Sequence, residues 1–414
     1  SNNKRRTCGK DKKKRKKKSN KKVGGQPGHD GHTLEQYQDP DEVIELSIDR
    51  RTLPSGVSFT KSEPETRQVI DLNLEFIVRE YQAEVFLGDN GSRYVADFPK
   101  HIKKAIQYGP SVKSLAVYMS QYQLIPYARV QEVFKDQFDL EISQGSLCNF
   151  NREAFEKLVI FELDIINKLD SEDVLNSDET GIKINQDLAW AHVLCTPKLS
   201  FMSPHAKRGK EAMNEVGIIP NFNGVLVHDH WKPYFGYECQ HALCNAHHLR
   251  ELEWVIDFKG HTWANKLKKF LIKLNIEVDE NGGLLPEDKQ KRRTKRYKEI
   301  VTSGNMECPV VLPTKGAGKK KVSQTKERNL LTRLQDYEEQ VLLFMKVKEV
   351  PFTNNQAERD IRMLKVHQKI SGQFKNMKSA KHFCRIRSFL MTSKKNGHSP
   401  YDKLSEVFRP EDAE

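Results

Sequence analysis

The chain has 414 residues and 37% hydrophobic content, enough for two to four domains with packed cores. No apolar run approaches the roughly 20 residues of a membrane span and no signal-peptide pattern opens the sequence, so the expectation is a cytoplasmic, nucleoid-associated protein with no membrane partner. The net charge is +13, and nearly all of it sits in residues 1–22, where thirteen Lys or Arg face the single acid Asp11.

Residues 1–39 read as a basic tail followed by a Gly-rich linker. Lys12, Lys13, Lys14 and Arg15 centre a run that can grip a polyanion; the plainer alternative is a solubilising or targeting tail. Gly24 to His32 is too dense in Gly for a regular element. His29 and His32 there read as solvated loop histidines ahead of metal ligands. Residues 40–105 predict a small β-rich module. Val43–Leu46, Arg67–Leu72, Phe76–Tyr81 and Ala83–Phe86 alternate as short strands do, and Gly88-Asp89-Asn90-Gly91 is a hairpin-turn signal.

Residues 106–170 turn helical. Apolar spacing predicts helices over Pro110–Gln121 and Tyr127–Phe138, and a third from the N-cap Ser143 past Phe155. This resembles a helix-turn-helix arrangement whose last helix enters a major groove; the alternative is a helical subdomain that merely packs. Residues 171–258 carry strands through Asp178, Leu188–Cys195, Leu199–Ser203 and Gly224–Asp229, a short helix at Lys210–Val216, a further strand at Cys239–Cys244 and a helix at Ala246–Ile256. Residues 259–350 are Lys-rich and helical, an insertion. Residues 351–378 hold a final core helix capped by Asn354 or Asn355, and residues 379–414 a C-terminal helical segment. Three strands, a helix and a fourth strand, with acids on the first and fourth, is the ribonuclease H-like order. The expected fold class is therefore α/β.

The acids define the chemistry. Asp178 and Asp229 end or lie on short buried strands, and Glu358 falls in a helical pattern. Three carboxylates meeting at one point hold two Mg²⁺ or Mn²⁺ ions, the arrangement phosphodiester transfer requires. Glu179 should point to the opposite side of its strand from Asp178, and His228 and His230 away from Asp229. Arg362 and Lys365 share a helix face with Glu358, while Ala357, Ile361 and Leu364 form an adjoining apolar face for docking on a sheet. A second constellation, Cys239-x4-Cys244-x2-His247 with His241 and His248 nearby, has a zinc-like spacing, although packing at a strand-to-helix corner explains it as well. The seven cysteines are odd in number and scattered, which argues for a reducing compartment over a disulfide framework.

Gly24 to His32, Gln123-Leu124-Ile125-Pro126-Tyr127, Asp178-Glu179-Thr180-Gly181, His205 to Gly209, Val227 to Lys232, His241 to Leu252, Asn354 to Gly372 and Ser393 to Tyr401 together resemble the DDE transposases of the bacterial insertion-sequence family IS66. The resemblance implies a ribonuclease H-like catalytic core interrupted by a helical insertion, with Asp178, Asp229 and Glu358 as catalytic metal ligands. It implies that Cys244 to His247 is the C-x2-H element such transposases carry, and that Lys365 holds the transposon end. Lys207, Arg208, Lys232, Asn354, Asn355 and Arg362 in these motifs are expected to contact DNA. The implied activity is Mg²⁺-dependent nicking at the element's ends, then attack of the freed 3′-hydroxyl on target DNA. Implied partners are end and target DNA, further copies of the chain assembled on DNA, and small accessory proteins of the same element. Two departures stand out. Family members carry Cys-x2-Cys pairs in the region of residues 50–95, where this sequence has no cysteine. Members also tend to open with a coiled coil, and the sequence given starts after that point. The rival readings are an inactive, transposase-derived DNA-binding protein and a nuclease on the same core without strand transfer.

Overall fold

The computed structural model describes residues 36–60, 62–72, 74–312 and 322–410. The basic run with Lys12, Lys13, Lys14 and Arg15, and the Gly-rich stretch with His29 and His32, lie outside the described residues. The chain divides into two units, residues 1–74 and 75–414.

In the first unit, Tyr37 and Gln68 exchange two hydrogen bonds of 2.8 and 2.7 Å. A single 3-10 turn, Arg50–Thr52, is held by the Asp49 carbonyl, which accepts the Thr52 hydroxyl at 2.7 Å. The strands expected at Val43–Leu46 and Arg67–Leu72 do not form among the described residues. Their alternating side chains are exposed, Leu46 at 92%. Alternation marks a strand only when a neighbouring edge takes up its backbone N–H and C=O groups, and none lies alongside.

The second unit opens with a stretch of the same kind: Phe76–Tyr81 is also unpaired. Only β1 (Val85–Leu87) and β2 (Arg93–Val95) pair, antiparallel, around the predicted turn, where Gly91 adopts φ +79°. The expected β-rich module is thus, in the described residues, one hairpin.

Four helices follow: α1 (Pro110–Val117), α2 (Tyr127–Phe138), α3 (Gln144–Lys157) and α4 (Val159–Asp170). The Ser143 hydroxyl caps α3 by accepting the Ser146 N–H at 3.0 Å, as its position predicts. A five-stranded mixed sheet comes next. It comprises β3 (Val174–Ile184), β4 (Asp187–Cys195), β5 (Ser200–His205), then α5 (Lys210–Val216), then β6 (Val225–His228) and β7 (Gln240–Leu243). Its order is β5-β4-β3-β6-β7. β4 runs antiparallel to both of its neighbours, β3 and β5, whereas β6 and β7 run parallel to β3. The fold is therefore a mixed α/β one.

Helix α6 (Asn245–Lys259) leaves the sheet and leads into α7 (Thr262–Glu280), α8 (Glu287–Glu307), α9 (Lys326–Asp336) and α10 (Glu338–Leu342). Trp263, Leu267, Leu271, Tyr297, Leu331 and Leu334 are fully buried at the centre of these helices, in one core with Val225 and Val227 of β6. The chain then returns to the sheet with α11 (Asn355–Ser371), followed by α12 (Met377–Lys395) and α13 (Pro400–Phe408). Ala357, Ile361 and Leu364 of α11 pack on Ile182, Ala191 and Val193, the apolar docking face the helical spacing predicts. Burying an Ile or Leu side chain contributes about 1.5–3 kcal/mol. Residues 106–170 and the C-terminal segment, distinct by sequence, share one core: Val117, Phe134 and Leu147 pack with Ile386, Leu390 and Leu404. Among the described residues no helix is long and apolar enough to cross a membrane.

Candidate active site

Strand register brings the first two acids together. β3 and β6 pair in parallel with Val174 opposite Val225 and Asn176 opposite Val227. Two residues further along the same register, Asp178 comes level with Asp229, the residue that follows β6. Both fall on the face shared by Val174, Asn176, Val225 and Val227, because side chains alternate along a strand. Asp178 receives the backbone N–H of Glu179 at 2.9 Å, and Asp229 that of Trp231 at 2.8 Å. Neither is paired with a cation among the described residues. Burial, and then the negative charges of Glu179, Asp229 and Glu358, push the Asp178 carboxyl up to about 7.

A clamp fixes where the third acid arrives. Asn354, the N-cap residue of α11, is buried at 2% exposure. Its side-chain oxygen accepts the Asn176 amide at 2.8 Å, and its own amide donates to the Ser177 carbonyl at 2.7 Å. Its backbone N–H donates to Cys244 Sγ at 3.1 Å. The first turn of α11, with Glu358, is thereby pinned against β3 immediately before Asp178 and against the N-terminus of α6. Glu358 is close enough for its charge to raise the Asp178 pKa. Its nearest partners are nonetheless on α6: His247 Nδ1 lies 3.8 Å and Arg250 3.5 Å from Glu358 Oε1. Among the described residues, Cys244, His247 and Glu358 are the one such group of donors whose ligand atoms all lie within 4.8 Å of one another. The three acids do not form so tight a set. A cleft of about 280 Å³ runs past Asp229, Cys244, His247, His248 and Arg333. A wider hollow of about 700 Å³ on α8, lined by Lys295, Glu299 and Met306 among others, contains none of the candidate acids.

Glu179 occupies the other side of β3. It accepts Arg208 Nε at 3.0 Å and the Tyr234 hydroxyl, which in turn accepts from Ser177 Oγ at 3.0 Å. Arg208 lies between the Trp190 and Trp231 rings, 4.7 and 4.1 Å from their centroids. Burial raises the Glu179 pKa, against the lowering by Tyr234 and Arg208. His228 is packed away from the aspartates, whereas His230 lines the cleft beside Asp229. His228 is fully buried and its Nε2 meets His241 Nδ1 at 3.0 Å. Burial and the neighbouring His241 push its pKa down to about 3, so it is neutral at pH 7. His230 sits edge-on to Tyr337 at 4.4 Å.

The family model described as "Transposase IS66 family" matches residues 105–382, two thirds of the chain and all three acids. The chain belongs to the transposase IS66 family. No curated protein matches it.

For this transposase, several residues singled out by sequence sit differently from their expected use. Asn354 is a buried clamp and not a surface group open to DNA. Arg208 is tied to Glu179 and stacked on tryptophans. Lys207 pairs with Glu211 at 2.7 Å, and Lys365 donates to the Gly181 carbonyl. Asn355, Lys232 and Arg362 are exposed. The Cys239–Cys244–His247 set is divided: Cys239 packs among Leu226, Tyr234 and other apolar residues, while Cys244 and His247 turn to Glu358. Four residues of strand separate the two cysteines, which prevents a shared ion. The six described cysteines are free thiols. Asn176, Tyr234 and Arg250 were missed by sequence. The available signal was Asn176, a polar residue in a buried strand on the same face as Asp178.

Proposed function

We propose that this transposase cuts the ends of its element and joins the freed 3′-hydroxyls to target DNA, with Asp178, Asp229 and Glu358 as the ligands of two Mg²⁺ or Mn²⁺ ions on a ribonuclease H-like core. One observation carries the reading: two aspartates without cation partners lie level on adjacent parallel strands, beneath the N-terminal turn of the helix that bears the glutamate. The sheet order β5-β4-β3-β6-β7, with its antiparallel first three strands, fits such a core. Oxygen-only donors suit hard divalent ions, and burial, followed by the like charges of Glu179, Asp229 and Glu358, raises the Asp178 pKa in a way that a bound cation would offset. When bound, the ions activate the attacking oxygen and stabilise the leaving one.

The chain's own residues supply the rest. Asn354 and Asn176 orient α11 so that a side-chain rotation of Glu358 away from Arg250 and His247 brings it toward Asp178. Arg362, exposed on α11, and Lys232 beside Asp229 offer cations to phosphate oxygens, and Lys365 would do so on leaving the Gly181 carbonyl. Asp229→Asn, assayed with element-end DNA, Mg²⁺ and target DNA, is expected to lose cleavage and joining by several orders of magnitude while binding end DNA nearly as the parent does. Retained cleavage would overturn the assignment; cleavage in the parent protein without joined product would reduce it to a nuclease.

A further inference from the structure

We propose that Cys244, His247 and Glu358 form a second cation site, selective for thiophilic divalent ions such as Zn²⁺ or Co²⁺, that draws Glu358 away from the two aspartates. The proposal shares Glu358 with the reading above, but its donors are otherwise distinct.

The three donor atoms lie within 4.8 Å of one another, so contractions of at most about 1.5 Å bring them to the donor separations of a tetrahedral ion. His247 Nδ1 is shielded from solvent and has no hydrogen-bond partner, although an imidazole nitrogen so placed normally finds one. It faces Glu358 Oε1 at 3.8 Å. Cys244 is 1% exposed, and its sulfur already receives the Asn354 N–H at 3.1 Å. Such N–H donation to sulfur orients and stabilises a thiolate ligand. Cys244 and His247 are also fixed relative to each other by the first turn of α6, where the His247 N–H donates to the Cys244 carbonyl at 3.2 Å. The site therefore needs only Glu358 to complete three ligands, and the adjoining cleft leaves a fourth position for water or a phosphate oxygen.

Donor softness separates the two sites. Mg²⁺ takes oxygen ligands and has little affinity for sulfur, whereas Zn²⁺ and Co²⁺ accept thiolate and imidazole together. On binding, the Cys244 thiol releases its proton to solvent and the sulfur donates its lone pair to the ion; no redox change occurs. Glu358 cannot serve both sites with the same oxygen geometry. A thiophilic ion would hold it on the α6 side, where the structure already finds it, and leave the aspartates one ligand short.

The test is Co²⁺ titration of the full chain, free of DNA, followed by electronic absorption. One equivalent should produce a thiolate-to-cobalt charge-transfer band with tetrahedral d–d bands, and Zn²⁺ should displace it. Asp178→Asn should keep both signals. Cys244→Ser should lose the charge-transfer band, and His247→Gln should weaken Co²⁺ and Zn²⁺ binding at least about tenfold, with circular dichroism confirming the fold of each. A parent protein showing no charge-transfer band would overturn the proposal. So would a band that persists in folded Cys244→Ser or, should that variant not fold, unchanged binding by His247→Gln. The cobalt signature does not depend on DNA cleavage: its presence in a protein that fails to cut end DNA would sink the transposition chemistry and leave this site standing.

Discussion

Asp178 and Glu179 are adjacent acids with opposite surroundings. Glu179 is matched by Arg208 and Tyr234, whereas Asp178 is buried near Glu179, Asp229 and Glu358 and has no cation partner of its own among the described residues. Its carboxyl, lifted to about 7, binds a proton in the folded state at pH values where the unfolded chain has already lost it. The metal-free fold is therefore destabilised as pH rises from about 4 to about 7, and the loss persists above that. Asp178→Asn should relieve it. Denaturant unfolding at pH 8 without divalent cation should find the variant more stable, by at most about 4 kcal/mol, with the difference vanishing near pH 4. Equal stability of the two proteins at pH 8 would show that burial and the neighbouring acids do not raise this carboxyl. The division of labour between these two residues was legible in the sequence, because strand alternation is local. The partners of Glu179 were not: Arg208 read as a DNA contact because nothing in its own motif names the acid that holds it.

Among the elements, α11 decides whether the site exists. Its apolar stripe and its N-cap were readable from spacing alone, since both are properties of neighbouring residues. The lock that sets its position was not, because Asn176 and Asn354 are 178 positions apart. Asn354→Ala would leave the Asn176 amide and the Ser177 carbonyl without their buried partner, at a cost of about 2–3 kcal/mol. The expected result is a lower denaturation midpoint and a Mg²⁺-dependent cleavage rate that falls further than DNA affinity does. A variant that is destabilised yet cleaves at the parent rate would make the clamp a stability feature only. The strands anticipated in residues 43–81 failed for the converse reason. Their pattern was local and correct in period, but a strand is completed by a neighbour, and local pattern does not say whether one is supplied.

At the scale of the molecule, the charge excess lies at the start of the sequence, whereas the three candidate acids lie in its middle and its C-terminal part. The thirteen cations of residues 1–22 can neutralise phosphates without reading bases. Removing those residues should weaken binding to end DNA and to unrelated DNA alike, and should flatten the decline of affinity with salt. A truncated protein with an unchanged salt slope would assign the electrostatic grip to the folded part. The core shared by the helices before the sheet and the helices after α11 was hidden from sequence, because each amphipathic face shows only that it needs cover, not which face provides it. The long interval between the sheet and α11 also bears on synthesis. Ribosomes deliver the amino-terminal part first, so both strand aspartates emerge well before Asn354 and Glu358. A nascent polypeptide, or one stopped early among α7 to α10, would carry the basic tail but lack the third acid. Such fragments would also lack Ile386, Leu390 and Leu404, so the helices before the sheet would stay without the cover that completes their core.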